Sequence, residues 1–471
     1  MKGSRIGWAE RVGYGLGDTA SNLYFQFFNL FLLYYYTDVY GLNPAAIGTM
    51  YLVANLWDAV NDPLMGMIAD RVTTPFGKYR PFLLWFAVPY GLCGYLIFSS
   101  PELGEVGKLA FAYVTFIGFK MVYTAINVPY SALLGVMTDD PRERVALSTA
   151  RFLGAFGGGF VVSLLVRPLV RWFGGGDELT GFQWTMAVFG VLSVLMFLTT
   201  FVTTRERLPP VTEEVDVRTD LDLLRRNRPW LVMVAAAVFT LAAVAVRGAV
   251  TVHYFKYYVG ADDAAIFTLG QAGSAFFLEF DLTTVFLSSG MLAFIAGVGL
   301  TGAVDARLGK RNGLVSLTLA HAATVIAFFF VPPEAIGLMM AMNLLGNLFA
   351  GPTPALVWAL YTDVADYGEW RFGRRATGLV FSAAMFAQKV GLTLGGAASG
   401  WLLGLFGFVA NQPQSDEALM GIRVLFSLLP GALAVANGLV LLAYPLDREA
   451  TAAFQAELEA RRAEAASPRA G

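Results

Sequence analysis

The feature that most constrains the fold of this chain is a series of long apolar segments that recurs along its whole length. Each is long enough to cross a ~30 Å hydrocarbon core as an α-helix of roughly 20 residues. Only 14% of the residues are charged and 56% are hydrophobic, whereas about 25% are charged in a typical soluble domain. The sequence therefore predicts an all-α membrane protein with many transmembrane helices.

Twelve transmembrane helices are predicted from these segments. The connection at 204–228 is polar, carries both signs of charge and separates six helices from six. This predicts an N-terminal six-helix bundle at 1–203, a linker at 204–228, a C-terminal six-helix bundle at 229–445 and a tail at 446–471 that begins as a short amphipathic helix. The predicted spans are 14–37, 44–70, 80–100, 107–137, 146–173, 181–203, 229–258, 281–304, 311–331, 335–362, 374–408 and 421–445.

The distribution of lysine and arginine predicts the orientation of the chain. Alternate connections, together with both termini, hold most of the 33 basic residues. The opposite connections hold only Lys108, Arg167, Arg171 and Lys256. Because cytoplasmic loops are enriched in basic residues, both termini, the linker and the tail are predicted to lie in the cytoplasm, in a multi-pass protein of the cell (inner) membrane.

Charge and cysteine content argue against several functions. The net charge of −2 does not indicate a nucleic-acid partner, and the single cysteine, Cys93, cannot form an internal disulfide. The sequence has neither a nucleophile–base set nor a cluster of His and Cys residues spaced to bind a metal. We therefore expect neither an enzyme nor a resident cofactor, and we expect the protein to act as a monomer.

Two connections with the same residue order indicate an internal repeat. "GMIADRVTTPFGKYR" follows the second helix and "GAVDARLGKR" follows the eighth, so that Asp70 and Arg71 correspond to Asp305 and Arg307. Two parallel halves are predicted, with binding between them near the midplane. The four charged residues are expected to act as latches between helices on the cytoplasmic side. The alternative is that tight cytoplasmic turns collect Gly, Asp and Arg for local reasons.

The stretch "WDAVNDP" brings charge into the second predicted helix. Asp58, Asn61 and Asp62 are spaced i, i+3 and i+4, which puts them on one helix face. Carboxylate and amide oxygens are ligands for hard cations, and two close carboxylates repel unless a cation or a shared proton intervenes. The pattern favours a cation site in which Asp58 and Asp62 bind Na⁺. The alternative is a structural ion pair with a lysine elsewhere in the bundle.

Other charged residues within the spans are also candidates, because such residues cost ~2.5–3.5 kcal/mol each on insertion scales and usually serve a function. Asp18 is the only acid in the first span, and Arg151 lies in the fifth. Arg151 is a candidate for a functional role, a countercharge to Asp18 inside the bundle is the structural alternative, and the two can both hold. In the fourth span, Tyr123, Thr124 and Asn127 share one face, and Lys120 lies on that face one turn earlier.

The second half of the chain supplies fewer polar candidates. Lys389 in helix 11 is expected inside the bundle with a carboxylate partner such as Asp58 or Asp62. Trp358 in helix 10 is a candidate ring for stacking on a sugar, although aromatic residues in such helices more often pack against lipid. His253 lies close to the predicted outer boundary and is expected at the membrane interface.

These residues and their flanking motifs resemble the glycoside–pentoside–hexuronide:cation symporters of the major facilitator superfamily, of which the melibiose permease is the familiar member. The similar motifs occur in the family's order over nearly the whole chain. The resemblance implies the major facilitator fold of two six-helix bundles. The motifs are "YYYTDVYGL", "WDAVNDPLMG", "FGKYRP", "NVPYSAL", "TDDPRER", "ADYGEWRFGRRATGLVFS" and "FVANQPQSDEALMGIR".

The resemblance also implies roles for individual residues. The positions that match the family's cation site are Asp58, Asn61, Asp62 and Thr124. The positions that match its sugar site, its aromatic lining and the lysine near its cation site are Asp18, Arg151, Tyr123, Trp358 and Lys389.

Three positions depart from the melibiose branch of that family. That branch has a second sugar-binding carboxylate where this chain has Asn127, a Trp where it has Ser131 and a Lys where it has Gly17. Asn127 still donates and accepts hydrogen bonds, as a sugar hydroxyl requires. The departures argue against galactoside specificity, and "NVPY" followed by a small residue is more similar to the glucuronide and pentoside branches.

The sequence therefore predicts a cation-coupled symporter of a sugar or glycoside that works by alternating access in the lipid bilayer. Na⁺ is the favoured coupling ion, because Asn61 and Thr124 supply neutral oxygens that a proton does not require; H⁺ and Li⁺ are alternatives. A proton-coupled carrier of hexuronides or pentosides and a carrier of a lipid-like amphipathic solute are the competing hypotheses, since one branch of this fold carries lysophospholipids.

Overall fold

The chain folds almost entirely into α-helices, and each predicted span coincides with one helix or with consecutive helices. The computed structural model describes residues 6–208, 217–260, 265–270, 277–374 and 377–466 of the 471. Within those ranges the helices are α1 (Trp8–Tyr34), α2 (Pro44–Arg71), α3 (Arg80–Ile97), α4 (Glu105–Met137), α5 (Pro141–Gly174), α6 (Glu178–Thr203), α7 (Val217–Arg226), α8 (Arg228–His253), α9 (Leu282–Val298), α10 (Thr301–Leu308), α11 (Lys310–Ala327), α12 (Ile336–Ala350), α13 (Thr353–Phe372), α14 (Thr377–Leu405), α15 (Asp416–Arg423), α16 (Leu429–Leu442) and α17 (Arg448–Ala466).

Several predicted spans are interrupted. The eighth span consists of α9 and α10, which are bent by 51°. The tenth consists of α12 and α13, which are separated at Gly351–Pro352, where proline cannot continue the helical hydrogen bonds. Three π-helical turns, at Tyr35–Val39, Tyr254–Val259 and Val424–Leu428, follow α1, α8 and α15. Such turns are often found at functional positions.

A short antiparallel hairpin joins α8 to α9, and the sequence did not predict it. Its strands are β1 (Ala265–Leu269) and β2 (Leu278–Asp281), with the rings of Phe267 and Phe280 stacked 4.5 Å apart. Each strand is only four or five residues long, which is too short for a periodic apolar pattern to reveal. Asp281 ends the hairpin fully buried, where Arg167 of α5 approaches to 2.6 Å.

Not all of these helices are apolar enough to be identified as membrane spans by composition. Among the described residues, eight helices satisfy a length and hydropathy test for crossing a membrane, and the bent pair α9–α10 makes a ninth. Helices α1 and α2 do not satisfy it. Polar residues such as Asp18, Asp58 and Asp62 lower their hydropathy. Two of the helices that carry candidate site residues, α1 and α2, are thus not identified as spans by composition, whereas α4 and α5 are.

The contacts divide the chain into two compact units. The first contains Met1–Thr212, Gly248–Met291 and Gly396–Ile422, and the second contains Glu213–Arg247, Leu292–Gly395 and Arg423–Gly471. In the first unit α1 packs against α5 and α6, α3 packs against α4 and α6, and α2 packs against α4. Boundaries between the units fall inside α8, α9, α14 and α15. The two six-helix halves, 1–203 and 229–445, stay a prediction.

Glycine permits a close contact between α1 and α5 in the first unit. A Cβ atom on Gly154 of α5 would lie 2.2 Å from the carbonyl oxygen of Gly15 in α1, and one on Gly158 would lie 2.9 Å from the carbonyl oxygen of Thr19. Small residues allow helix backbones to approach in this way in membranes. This approach brings α1 and α5 close enough for Asp18 and Arg151 to meet.

The second unit is built around α11, which packs against α12, α13 and α16. The tail helix α17 lies against α13, where Trp370 donates a hydrogen bond to Glu457 at 2.9 Å and Arg462 pairs with Glu369. The amphipathic helix that was predicted for the tail is therefore present, and the last residues, 467–471, lie outside the described range.

Candidate functional site

Two polar contacts, one helical turn apart, join α2 to α4. Asp58 accepts a hydrogen bond from the ammonium of Lys120 at 2.9 Å, and Asp62 accepts one from the hydroxyl of Thr124 at 2.8 Å. The acids are spaced i and i+4 on α2, and their partners are spaced i and i+4 on α4. Both helices therefore present matching faces, as the i, i+4 spacing requires.

The Asp58 contact is a buried ion pair. The Asp58 side chain is 4% exposed and that of Lys120 is 19% exposed. Lys120 also donates to the amide oxygen of Asn55 at 2.9 Å. The ion-pair alternative thus holds for Asp58, and its partner is Lys120 on the adjacent helix. From the sequence we expected Lys389 to be the partner of one of these acids. A sequence indicates which residues share a helix face, but it does not indicate which helix faces meet.

Two buried polar atoms of this region make no protein hydrogen bond within the described part of the chain: Oδ1 of Asp58 and Nδ2 of Asn61. A buried polar atom usually has a partner. Together with the Asp62 carboxylate and the Thr124 hydroxyl, the Asp58 oxygen and the Asn61 amide oxygen form a set of oxygen donors of the kind that hard cations bind. The residues present therefore fit a small monovalent cation.

The second predicted pair lies between α1 and α5. Nε of Arg151 donates to Oδ2 of Asp18 at 2.6 Å, so the expected countercharge contact is formed. The guanidinium carbon of Arg151 lies 5.9 Å from the Tyr14 ring centroid and 5.1 Å from that of Tyr130. Cations are attracted to ring faces at such distances. The side chains of Arg151 and Asp18 are 27% and 15% exposed, so the pair is partly accessible.

Asn127 extends this polar region from α4 towards α1. Its Oδ1 accepts a hydrogen bond from Ser21 at 2.6 Å, and its Nδ2 donates to the Tyr123 carbonyl at 3.0 Å. Gly17 lies beside it, where an added Cβ would come within 2.5 Å of the Tyr130 ring. The lysine that the melibiose branch has at this position would therefore require Tyr130 to move.

Tyr123 connects the two groups of acids. Its ring packs against Tyr90 and Phe119, with centroids 6.2 Å and 6.1 Å away. Its phenol lies within electrostatic range of Asp18, Asp58 and Asp62. The acids of the predicted cation site and of the predicted sugar site therefore both lie within electrostatic range of one aromatic side chain.

Two predicted site residues belong to the second unit. Trp358 of α13 stacks on Phe381 with centroids 5.5 Å apart and meets Tyr361 edge-on at 5.9 Å. Lys389 is half-buried on α14, and its carbonyl accepts a hydrogen bond from Thr393 at 2.7 Å. Their proposed contributions to the sugar and cation sites stay predictions.

The predicted latch residues lie at helix ends. Asp70 pairs with Lys78 at 3.1 Å and accepts a hydrogen bond from the Tyr79 hydroxyl at 3.2 Å. The corresponding region of the second unit contains a pair between Lys310 and Asp363 at 2.7 Å. The remaining three predicted residues are Arg71 and Arg307, which are exposed, and Asp305, which is half-buried. The latch role of the four residues stays a prediction.

An apolar groove of about 460 Å³ lies between α2 and α4. On α2, Val53, Leu56 and Val60 line it, at positions that helical geometry puts on the face opposite Asp58 and Asp62. Ile117 and Met121 of α4 and Trp57 complete its lining. The groove therefore does not share the carboxylates of the candidate cation site.

A second charged cluster, which the sequence did not reveal, lies at the other end of α1. We call it the Asp38 cluster: Thr37, Asp38, His253, Lys256, Tyr257 and Asn411. Lys256 and His253 lie 2.9 Å and 3.2 Å from the Asp38 carboxylate, and the Asn411 amide donates to the Asp38 carbonyl at 2.6 Å. The Tyr257 hydroxyl donates to the same carboxylate.

The position of His253 at the membrane interface stays a prediction, and the structure shows what surrounds its side chain. Its side chain is fully buried, because it packs between Asp38 and the Phe408 ring, whose centroid is 5.2 Å away. The sequence signals were present as single charges in "YYYTDV" and "HYFKYY". Only the folded chain shows that residues more than 200 positions apart meet.

Comparisons with known proteins identify the family. The family described as MFS/sugar transport protein matches residues 13–448. A putative glycoside/cation symporter, YagG, of Escherichia coli is 37% identical over 96% of this chain and 95% of its own length. The isoprimeverose transporter of Lactiplantibacillus pentosus is 34% identical over 94% and 90%.

Solved structures support the fold at lower identity. A bacterial homologue of the human drug peptide transporters PepT1 and PepT2 has a TM-score of 0.66 at 12% identity, over 96% of this chain and 99% of that one. The nucleoside transporter NupG has a TM-score of 0.60 at 12% identity, over 94% and 100%. The chain therefore belongs to the glycoside–pentoside–hexuronide:cation symporter family of the major facilitator superfamily, and it is a membrane transporter and not an enzyme.

Proposed function

We propose that this protein carries a sugar or glycoside across the cell (inner) membrane together with Na⁺, by alternating access. The observation that carries the proposal is that the Tyr123 phenol lies within electrostatic range of both the α2 carboxylates and the Asp18 carboxylate. A cation that binds Asp58 and Asp62 changes the charge next to the sugar-binding residues. Linkage is reciprocal, so the sugar must then raise the affinity for the cation by the same factor.

The proposed cation ligands are Asp58, Asn61, Asp62 and Thr124. The contact between Thr124 and Asp62 and the unpartnered oxygen of Asp58 support this set. Na⁺ is preferred to H⁺ in the proposal, because a proton needs only one basic atom whereas Na⁺ needs several oxygen donors.

The proposed substrate-binding residues are Asp18 and Arg151, with Asn127 beside them and with Tyr123 and Trp358 as aromatic surfaces. Paired charged groups can each bind sugar hydroxyls, the carboxylate as acceptor and the guanidinium as donor. Lys389 is proposed to act near the cation site. Curated relatives include the isoprimeverose transporter and a glucuronide carrier protein homologue that is 30% identical. We propose a substrate of this class, a pentose-containing glycoside or a glucuronide.

The proposal also includes the predicted topology. Both termini, the linker at 204–228 and the tail at 446–471 are proposed to face the cytoplasm, and the protein is proposed to work as a monomer. Asp70, Arg71, Asp305 and Arg307 are proposed to act as charge latches that open and close at each cycle.

Uptake of radiolabelled glycosides, pentosides and glucuronides into membrane vesicles tests the proposal. A Na⁺ gradient is expected to stimulate uptake of one of these classes. Asp58→Cys or Asp62→Cys is expected to abolish the stimulation, because either change removes half of the charge that binds the cation. Asp18→Cys is expected to abolish substrate binding.

Glu102→Cys, which changes an exposed acid on the connection between α3 and α4, serves as the control and is expected to leave uptake unchanged. Cation-driven uptake that persists in either α2 variant contradicts the proposed cation site. Stimulation by a proton gradient alone assigns H⁺ as the coupling ion, and uptake of a lysophospholipid in place of every sugar contradicts the substrate class.

A further inference from the structure

A row of amide side chains on α1 continues from the Asp18–Arg151 pair towards the C-terminal end of the helix. Asn22, Gln26 and Asn29 follow the aspartate at i+4, i+8 and i+11, a spacing that puts all of them on the helix face of that acid. Each is half-buried, so this face of α1 is partly accessible. We call these three residues the amide stripe. The cation and sugar sites proposed above do not use them.

The glycine run of α5 leaves room for the amide stripe. An added Cβ on Gly158 would lie 3.2 Å from Cβ of Asn22, and one on Gly159 would lie 3.8 Å from Cγ of Gln26. The aliphatic parts of the two amide side chains therefore pack against a stretch of α5 that has no side chains of its own. Their polar ends are the groups that a ligand can reach.

The amide stripe does not join α1 to its neighbours by hydrogen bonds. In membranes, amide side chains often bind across to an adjacent helix. Among the described residues, however, the Gln26 and Asn29 side chains make no hydrogen bond, and Asn22 donates to the Asp18 carbonyl of its own helix at 2.9 Å. Polar groups at membrane depth are costly when they have no partner. These amides are therefore available to water or to a polar ligand.

The chemistry and length of the stripe fit a second sugar ring. An amide both donates and accepts hydrogen bonds, as sugar hydroxyls do. Helical rise puts Gln26 about 12 Å beyond Asp18 along α1, which is further than a single ring extends from the Asp18–Arg151 pair. Beyond it α8 approaches the stripe, since an added Cβ on Gly248 would lie 2.6 Å from Nδ2 of Asn29. The accessible part of the stripe is therefore Asn22 and Gln26.

We propose that Asn22 and Gln26 form a second sugar subsite, in an inference that rests on the proposed function. The Asp18–Arg151 pair binds one ring of the substrate, and the two amides bind hydroxyls of the ring that is linked to it. The substrate class is then a glycoside of two sugar rings, and a free monosaccharide fills only half of the site.

An amide stripe that only holds water along the pathway makes a different prediction. Its removal affects single-ring and two-ring sugars alike, because neither contacts it directly. Removal of a subsite weakens binding of the two-ring sugar and leaves binding of the single ring unchanged. The two roles are therefore separated by the ratio of two dissociation constants and not by the rate of uptake.

The experiment measures Kd by calorimetric titration of the purified full-length protein in Na⁺, with sugars that share one ring. The pairs are xylose with xylobiose, glucose with cellobiose, and glucuronic acid with cellobiouronic acid. The wild type is expected to bind at least one disaccharide about tenfold or more tightly than the corresponding single ring, since each added hydrogen bond contributes a factor of about two to ten. This comparison needs no variant, so it holds even if a substitution prevents folding.

Two variants locate the subsite. Asn22→Leu and Gln26→Leu are each expected to weaken binding of that disaccharide by about three- to tenfold and to leave binding of the single ring unchanged. Gln183→Leu on α6 is the matched control. It removes an intramembrane amide that donates to the Tyr95 hydroxyl at 2.8 Å, and it is expected to leave both constants unchanged.

A wild type that binds no disaccharide more tightly than its single ring overturns the subsite and leaves the proposed sugar transport intact. So do Asn22→Leu and Gln26→Leu variants that both keep the wild-type preference. Failure of every sugar to bind, with and without Na⁺, overturns the proposed function together with the subsite. A preference that is lost in these two variants and kept in Gln183→Leu supports the subsite.

Discussion

At the scale of single residues, the charges inside the predicted spans of the first unit are paired on adjacent helices. Asp18 meets Arg151 and Asp58 meets Lys120. Breaking a buried pair by removing one member costs about 3–5 kcal/mol, because the remaining charge is left without a partner. Replacing both members costs much less. A comparison of the stability of the single and double variants therefore detects the pairing, whereas single substitutions alone do not.

For the pair between α1 and α5, we expect Asp18→Asn and Arg151→Gln each to lower the unfolding temperature more than the double variant does. Because the Arg151 side chain is 27% exposed, we expect each single change to lower the free energy of unfolding by about 3 kcal/mol, at the lower end of that range. Thermal unfolding in detergent measures all three. The pair Arg11–Glu143, which joins the same helices at 2.8 Å with Arg11 33% exposed, is the control. The single variants of this control pair are expected to lower the unfolding temperature less. If the effects of Asp18→Asn and Arg151→Gln simply add in the double variant, the two side chains are not coupled.

The sequence predicted which residues share a helix face better than it predicted which residues are in contact. The i, i+4 spacing identified the faces of α2 and α4, and the countercharge between Asp18 and Arg151 was predicted as an alternative. The contact between Asp58 and Lys120 was not predicted, because a sequence specifies the face of a helix but not its height relative to a neighbour. The Asp38 cluster depends on contacts between residues far apart in the chain, which no local pattern indicates.

At the scale of helices, the close approach of α1 and α5 determines whether the Asp18–Arg151 pair can form. The approach depends on Gly154, where an added Cβ would lie 2.2 Å from a backbone oxygen that cannot rotate away. The glycine-rich segment of α5 allows this close packing. The breaks in the eighth and tenth spans and the β-hairpin were not predicted, since mean hydropathy does not register a bend.

Gly154→Ala is expected to destabilise the protein by about 1–3 kcal/mol, because overpacking forces α1 and α5 apart. It is also expected to weaken substrate binding. Gly157→Ala on the same helix has no atom within 4 Å of its added Cβ and is the matched control. The control is expected to gain up to about 1 kcal/mol from the higher helix propensity of alanine. Unfolding temperatures and substrate titrations measure both effects, and equal behaviour of the two variants contradicts the packing argument.

At the scale of the whole molecule, the composition of the chain predicted a polytopic helical membrane protein and the family resemblance a transporter, and the family comparisons confirm both. A carrier that works by alternating access must close each end of its pathway in turn. The Asp38 cluster joins Tyr35–Val39, Tyr254–Val259 and Asn411 within the first unit. The end of α1 that carries this cluster is predicted to face the outside, so we expect the cluster to break whenever that end opens.

Asp38→Asn is expected to open that end more often, because Lys256 and His253 lose the charge on which they converge. In a Cys93→Ala background, a cysteine that replaces the buried Thr251 is expected to react with a membrane-impermeant maleimide several times faster in the Asp38→Asn variant. A cysteine in place of the exposed Glu102 is the control. It is expected to react equally in both backgrounds, and in intact cells its reaction also tests the predicted orientation. Equal rates at position 251 contradict a closing role for the cluster.

The weak membrane character of α1 and α2 has a consequence for how the protein is made. A ribosome synthesises Asp18 133 residues before Arg151 and Asp58 62 residues before Lys120. During that interval each acid lacks the partner that it has in the folded chain, and neither helix is apolar enough to be identified as a span by composition. We therefore expect α1 and α2 to be retained by the insertion machinery until α4 and α5 emerge, so that the first two helices enter the bilayer together with the cations that neutralise them.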